Sequence, residues 1–89
     1  MMNRQITLLI QNQLGLHARP AALFVQMANR FKSEIEVQKG RTKVNGKSIM
    51  GIMTLAAGRG SKITIRAKGE DAAKAITAIT KLIRGNFGE

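Results

Sequence analysis

Cysteine is absent from this chain of 89 residues, and so are tryptophan and tyrosine. Without thiols there is neither a disulfide nor a thiolate metal site, and one histidine among five scattered acids makes no zinc ligand set. Long apolar runs are missing too: nothing approaches the ~18 residues of a membrane span, and no signal-peptide pattern precedes Arg4-Gln5-Ile6-Thr7. A cytoplasmic location without membrane insertion is the expectation. Acidic residues are scarce, and fifteen Lys and Arg against five Asp and Glu leave a formal charge of +10. Such a balance favours acidic partners and raises nucleic acid as a candidate. The cations are spread singly through the chain, however, without a basic block, which reads as a solvated basic surface. The only aromatics are Phe24, Phe31 and Phe87, the first two on the apolar stripe of a helix, so no stacking platform for RNA is offered. Nucleic acid is therefore disfavoured as a partner, with a small basic RNA-binding module kept as a rival. No metal or nucleotide cofactor has a visible site.

What is present is a hydrophobic content of 44%, enough for one modest core, and a single domain over residues 1–89 is expected. Ile6, Leu8 and Ile10 alternate in a strand over 5–10. Pro20, Leu23, Phe24, Met27, Ala28 and Phe31 recur at helical spacing over 18–31. Ile35 and Val37 alternate with Glu34 and Glu36; Gly40 then turns the chain into a shorter strand around 41–44. Ser48 caps a short helix over 49–54, weakened by Gly51. Ile63, Ile65 and Ala67 point inward from a strand over 61–68. Glu70 and Asp71 open a last helix with the stripe Ala72, Ile76, Ile79 and Ile83, which Gly85 stops. Strands with one apolar side each require an antiparallel sheet with helices on one face, an α+β open-faced sandwich.

The chemistry concentrates at Gly15-Leu16-His17-Ala18-Arg19-Pro20. Gly15 can take the positive φ needed to leave the first strand sharply. His17 falls at the N-cap, and Pro20 sits in the first turn, where its missing N–H has no helical acceptor to lose. A helix start gathers unpartnered N–H groups that receive an anion. Arg19 adds a planar, permanently charged fork for phosphate oxygens. A His beside an Arg at a helix start is by itself an ordinary solvated cap; the whole run is what points to phosphate chemistry.

That run, continued to Ala21, closely resembles the active-site signature of the HPr family, the histidine-containing phosphocarriers of the bacterial phosphoenolpyruvate-dependent phosphotransferase system. Lys47-Ser48-Ile49-Met50-Gly51-Ile52-Met53 resembles that family's regulatory serine region at the usual distance. The resemblance covers nearly the whole chain, from the first strand to Glu89. It implies a four-stranded sheet in the order 1-4-2-3 with three helices on one face. The second and fourth strands would then be neighbours, bringing Glu34 and Glu36 opposite Lys62 or Arg66. It further implies that His17 accepts a phosphoryl group on Nδ1 from phosphorylated Enzyme I and passes it to A-type components of the sugar-specific Enzymes II. The protein would be a carrier rather than a stand-alone catalyst. Ala18 and Arg19 would hold the phosphate, Arg19 neutralising its oxygens and the backbone N–H groups after His17 receiving them.

By the same resemblance Ser48 is the residue that HPr kinase/phosphorylase would modify, while from the residues alone it is a helix N-cap. Leu16, Ala22, Lys47, Ile49, Met50, Gly51 and Met53 would form the surface that meets partners. Met50 is expected to be exposed, whereas at least half of Ile49, Met50, Met53 and Leu55 are expected in the core. Leu14 departs from the Asn or Ser common at that position in sugar-branch carriers and matches nitrogen-branch relatives, which leaves a nitrogen-branch regulatory phosphocarrier as the alternative. A hydrolase using His17 as general base would need a carboxylate at the ring, and Glu34 and Glu36 lie on the wrong face. The resemblance also brings Glu89 near Arg19.

Overall fold

Period-two alternation decides the layers. In the computed structural model, which describes residues 2–89, the strand β4 (Lys62–Lys68) buries Ile63, Ile65 and Ala67 and turns Lys62, Thr64, Arg66 and Lys68 away. The other strands are β1 (Asn3–Leu9), β2 (Glu34–Lys39) and β3 (Thr42–Asn45). The helices among the described residues are α1 (Ala18–Ala28), α2 (Ile49–Thr54) and α3 (Ala72–Arg84), followed by one 3-10 turn at Asn86–Gly88. This is the element order expected, and the sheet is antiparallel in the order β1-β4-β2-β3.

All three helices serve one sheet face. Ala21, Phe24, Val25 and Ala28 of α1, Ile52 of α2 and Ala72, Ala75, Ile79 and Ile83 of α3 join Leu8, Ile35, Val37, Ile63 and Ile65 in one core. Alanines at the helix contacts let the backbones approach closely, while Phe24, completely buried, supplies the bulk. Burying a side chain of that size contributes about 2–3 kcal/mol. No helix of the described residues is long and apolar enough to cross a membrane.

The solvent face matches the expected charge pairing in part. Glu36 lies directly across from Arg66, with Arg66 Nη1 donating to Glu36 Oε1 at 3.2 Å and to Gln38 Oε1 at 2.6 Å. Glu34 is opposite Lys68 instead, because the β2–β4 register stops short of Lys62, which pairs with Leu9. Both members of the Glu36–Arg66 pair are more than a third exposed, so its contribution is of order 0.5 kcal/mol.

Several element ends differ from the expected ones: β1 runs over Asn3–Leu9 rather than 5–10, β3 over Thr42–Asn45 rather than 41–44, and β4 starts at Lys62 rather than Ser61. The first helix stops at Ala28 rather than Phe31: Arg30 N and Phe31 N each reach back three residues, to Met27 O and Ala28 O, tightening the chain into a turn. Phe31 still packs against the core from this turn. At the start of α3 the Asp71 carboxylate makes no cap bond within its own helix. It accepts from Lys32 N at 2.9 Å, Ser33 N at 2.9 Å and Ser33 Oγ at 2.5 Å, clipping the entry of β2 to the entry of α3.

These donors, the Ser33 hydroxyl foremost, lower the Asp71 pKa from 3.8 to about 2. The charged form is thus favoured on folding. The stabilisation is complete above the unfolded value and is lost as pH falls through the folded one. Denaturant midpoints measured between pH 6 and pH 2 should therefore fall more steeply for the parent than for Asp71→Asn, with the divergence confined to the region below about pH 4.

Candidate functional site

The turn into α1 is built as its sequence requires. Gly15 has φ +68°, and a Cβ there would stand 2.3 Å from the Ala57 carbonyl oxygen. Leu16 N donates to that same oxygen at 2.8 Å, which ties the loop before α1 to the segment after α2. His17 is the N-cap, with φ −79° and ψ −168°. Its carbonyl accepts from Ala21 N at 2.9 Å, closing the first helical turn. Its side chain makes no cap bond, so the ring is free for other work. The amides of Ala18 and Arg19 donate to no acceptor among the described residues, and both residues are exposed. Pro20 is buried beneath them. Arg19 makes no side-chain hydrogen bond or ion pair with the described residues, which leaves its guanidinium able to close over an anion beside His17.

The imidazole is 38% exposed, yet its Nε2 is sealed from solvent and has no hydrogen-bond partner. The sealing group is a carboxylate: Glu89 Oε2 lies 3.6 Å from Nε2. Glu89 makes no ion pair with Arg19 among the described residues; its carboxylate meets Asn12 and the His17 ring. Asn12 is 4% exposed, and its Nδ2 donates to Gly15 O at 2.7 Å and to Glu89 Oε1 at 3.4 Å. Asn12 follows the first strand within the polar run Gln11-Asn12-Gln13. An Asn three residues before a turn glycine was the available signal for a side chain bonding back to the loop.

Ser48 is the N-cap of α2, and its Oγ accepts from Gly51 N at 3.0 Å, a contact worth about 1 kcal/mol against alanine. Its neighbour Lys47 extends Nζ to Phe31 O at 2.6 Å, capping the turn after α1. The two helices pack together, and Met53 and Ala56 border His17 in a shallow groove with Leu14, Leu16, Ala57 and Gly58.

Around this groove lies an apolar surface. Met50 is 79% exposed, as expected, but Ile49 and Met53 are exposed as well, and among the four residues weighed only Leu55 is core. A six-residue helix buries one face, and here Ile52 with Leu55 fills it. Leu16 is the reverse case. Expected on the partner-facing surface, it is 4% exposed, because its amide bond to Ala57 turns the side chain into the core. Leu14, 69% exposed, stands in its place. Ala22 and Gly51 are half-buried.

A nucleophilic ring nitrogen, two free amides, a free guanidinium and an apolar rim make a site for receiving and releasing a small anion at a protein surface. Known proteins resemble the chain in sequence and in fold. The family described as "PTS HPr component phosphorylation site" matches residues 4–85. The chain is similar to phosphocarrier protein HPr of Neisseria meningitidis, 54% identical over 80 residues that span 90% of each chain. It is also similar to the HPr-like protein Crh of Halalkalibacterium halodurans, 54% identical over 74 residues, 83% of this chain and 88% of that one. The crystal structure of HPr-C-His from Thermoanaerobacter tengcongensis superposes with a TM-score of 0.94 at 51% identity, covering 97% of both chains.

Proposed function

The chain belongs to the HPr family of phosphotransferase-system phosphocarriers, and from that premise we propose that it accepts a phosphoryl group on Nδ1 of His17 from phosphorylated Enzyme I and delivers it to A-type Enzyme II components. The observation that carries this reading is the asymmetry of the ring: Nε2 is closed off by Glu89, so the reachable nitrogen of this half-exposed imidazole is Nδ1. Arg19 and the amides of Ala18 and Arg19 receive the phosphoryl oxygens. An exposed site with one guanidinium suits a carrier, because contacts much stronger in the loaded state than in the transition state would trap the group. The domain acts as one unit over residues 1–89 and in the cytoplasm, where the donor and acceptors of such a relay operate. Incubation with phosphoenolpyruvate and catalytic Enzyme I should load the chain with acid-labile phosphate, which an added Enzyme II component then removes. Phosphate that stays on the chain would exclude the carrier role.

Ser48 is a second, regulatory site in this reading, phosphorylated by an HPr kinase/phosphorylase. Its hydroxyl caps α2 at the rim of the apolar surface, and relatives named as HPr-like Crh proteins, including the catabolite-repression HPr of Bacillus subtilis, match over most of the chain. A phosphate there adds a charge of roughly −1.5 to −2. The surface that meets Enzyme I, including Lys47, Ile49, Met50, Gly51 and Met53, would then carry the wrong sign for an acidic partner. Aspartate is itself a good N-cap, so Ser48→Asp should keep α2 folded while slowing uptake from Enzyme I, and added salt should narrow the difference. Equal rates at every ionic strength would contradict this electrostatic mechanism.

Leu14 gives a specific reason to keep the nitrogen-branch alternative. Its largely exposed apolar side chain offers no polar contact to the phosphoryl group and widens the apolar rim instead. Comparing transfer to sugar-branch and nitrogen-branch acceptors decides between the two.

A further inference from the structure

We propose that Glu89 is a positioning residue for phosphoryl transfer: its carboxylate, steered by Asn12, keeps the proton of the His17 ring on Nε2 and so presents the Nδ1 lone pair to the donor. The proposal rests on the phosphocarrier reading of His17.

A buried ring nitrogen without a partner is an uncommon arrangement, and the group facing it decides its state. Glu89 Oε2 faces Nε2 at 3.6 Å, just beyond hydrogen-bond length. An ionised carboxylate only accepts hydrogen bonds, so the tautomer it favours is the one with N–H at Nε2. Bonds of this kind in unloaded sites are often long and tighten on loading.

The supports of Glu89 are themselves fixed. Asn12 donates from the same Nδ2 to Gly15 O and to Glu89 Oε1, linking the carboxylate to the loop that sets His17 at the N-cap. From the other side, the turn after α3 is anchored by Phe87, 2% exposed and held at φ +56°. Gly88 N bonds to Gly85 O at 3.0 Å and Glu89 N to Asn86 O at 2.9 Å. Such a left-handed pair at Asn86 and Phe87 persists because the phenyl group is packed, and it aims the next residues at the ring.

In the transfer step the Nδ1 lone pair attacks the phosphorus of the donor's phosphoramidate. A new N–P bond forms at His17 while the donor's N–P bond breaks, its electron pair returning to the donor nitrogen. The proton stays on Nε2, so the loaded ring carries a positive charge that the Glu89 carboxylate faces. An analogous division of labour, in which a carboxylate holds one nitrogen of an imidazole while the other does chemistry, is widespread in catalytic and metal sites.

The test is the ring-nitrogen NMR spectrum of His17, recorded on histidine-labelled protein with no phosphate donor present, at about pH 8.5, well above the ordinary imidazole range. The parent should show mainly the Nε2-protonated tautomer. Glu89→Ala should lower the ratio of the two tautomers about fivefold, the scale expected of a charge within about 4 Å of one ring nitrogen, and slow initial uptake from Enzyme I by a similar factor. Glu89→Gln, whose one amide oxygen is claimed by Asn12 Nδ2, turns its NH2 donor toward Nε2 and should move the balance toward the Nδ1-protonated tautomer. Identical tautomer ratios in the parent and Glu89→Ala would overturn the proposal. Because the spectrum needs no donor, a parent chain that never takes up phosphate would refute the carrier reading separately.

Discussion

Replacing His17 with alanine abolishes acid-labile phosphate uptake from phosphorylated Enzyme I, measured as radiolabel retained on the chain, while leaving the fold intact. The fold survives because the ring makes no cap bond and no hydrogen bond within the described residues, so its removal costs the helix little. Uptake disappears because the remaining groups of the site, two amides and a guanidinium, attract phosphate but supply no nucleophile. This is the only histidine of the chain. Ser48 is the nearest rival acceptor by chemistry, but a serine phosphoester is stable in acid, so the two products separate on a single acid treatment. Persistent acid-labile label in the alanine variant would remove His17 from the centre of the mechanism.

Arg19→Ala lowers the transfer rate about 100-fold, and Arg19→Lys falls between this variant and the parent. During transfer the phosphoryl oxygens carry negative charge between donor and acceptor, and a guanidinium can answer two of those oxygens at once. Lysine keeps the charge and loses the fork. Since Arg19 is exposed and unpaired, neither change disturbs the fold, and the defect should appear in the rate rather than in thermal stability. Rapid-quench measurement of phosphate uptake at saturating Enzyme I distinguishes this from weaker docking. A variant as fast as the parent would show that the amides alone suffice.

How much of this was legible beforehand depends on how local the determinant is. The turn at Gly15, the N-cap position of His17 and the Pro20 in the first turn are decided within six residues, and the sequence read them correctly. Ser48 is similar: a serine three residues before the amide it caps is a local signal. The alternating strands were equally plain, and the strand order followed from family resemblance. The pairing of Glu36 with Arg66 came with that order; Glu34 missed its expected partner because register depends on where the β2–β4 ladder ends.

Nonlocal features were hidden. Nothing around Glu89 says that it lies at the ring of His17, since that contact is made by the whole path of α3 and the buried anchor at Phe87. Asn12 was visible only as one of three polar residues, and its burial depends on Glu89 arriving. Leu16, expected on the partner-facing surface, is core for a related reason. Leu16 N donates to Ala57 O, an acceptor in a segment distant in sequence, while Leu16 packs in the core and Leu14 stays exposed. Ile49 and Met53 remained exposed because a helix of six residues has one buried face and Ile52 already occupies it. The excess apolar surface left by these placements suits the proposed relay, in which one site would meet several partners in turn.

Phosphorus NMR of the chain after incubation with phosphoenolpyruvate and Enzyme I tests the central claim most directly, because it reports the atom as well as the event. A single phosphoramidate resonance assignable to Nδ1 of His17, absent from the His17→Ala sample, is the predicted result. A phosphoryl group found on Nε2, or on a hydroxyl with the imidazole unmodified, would contradict it.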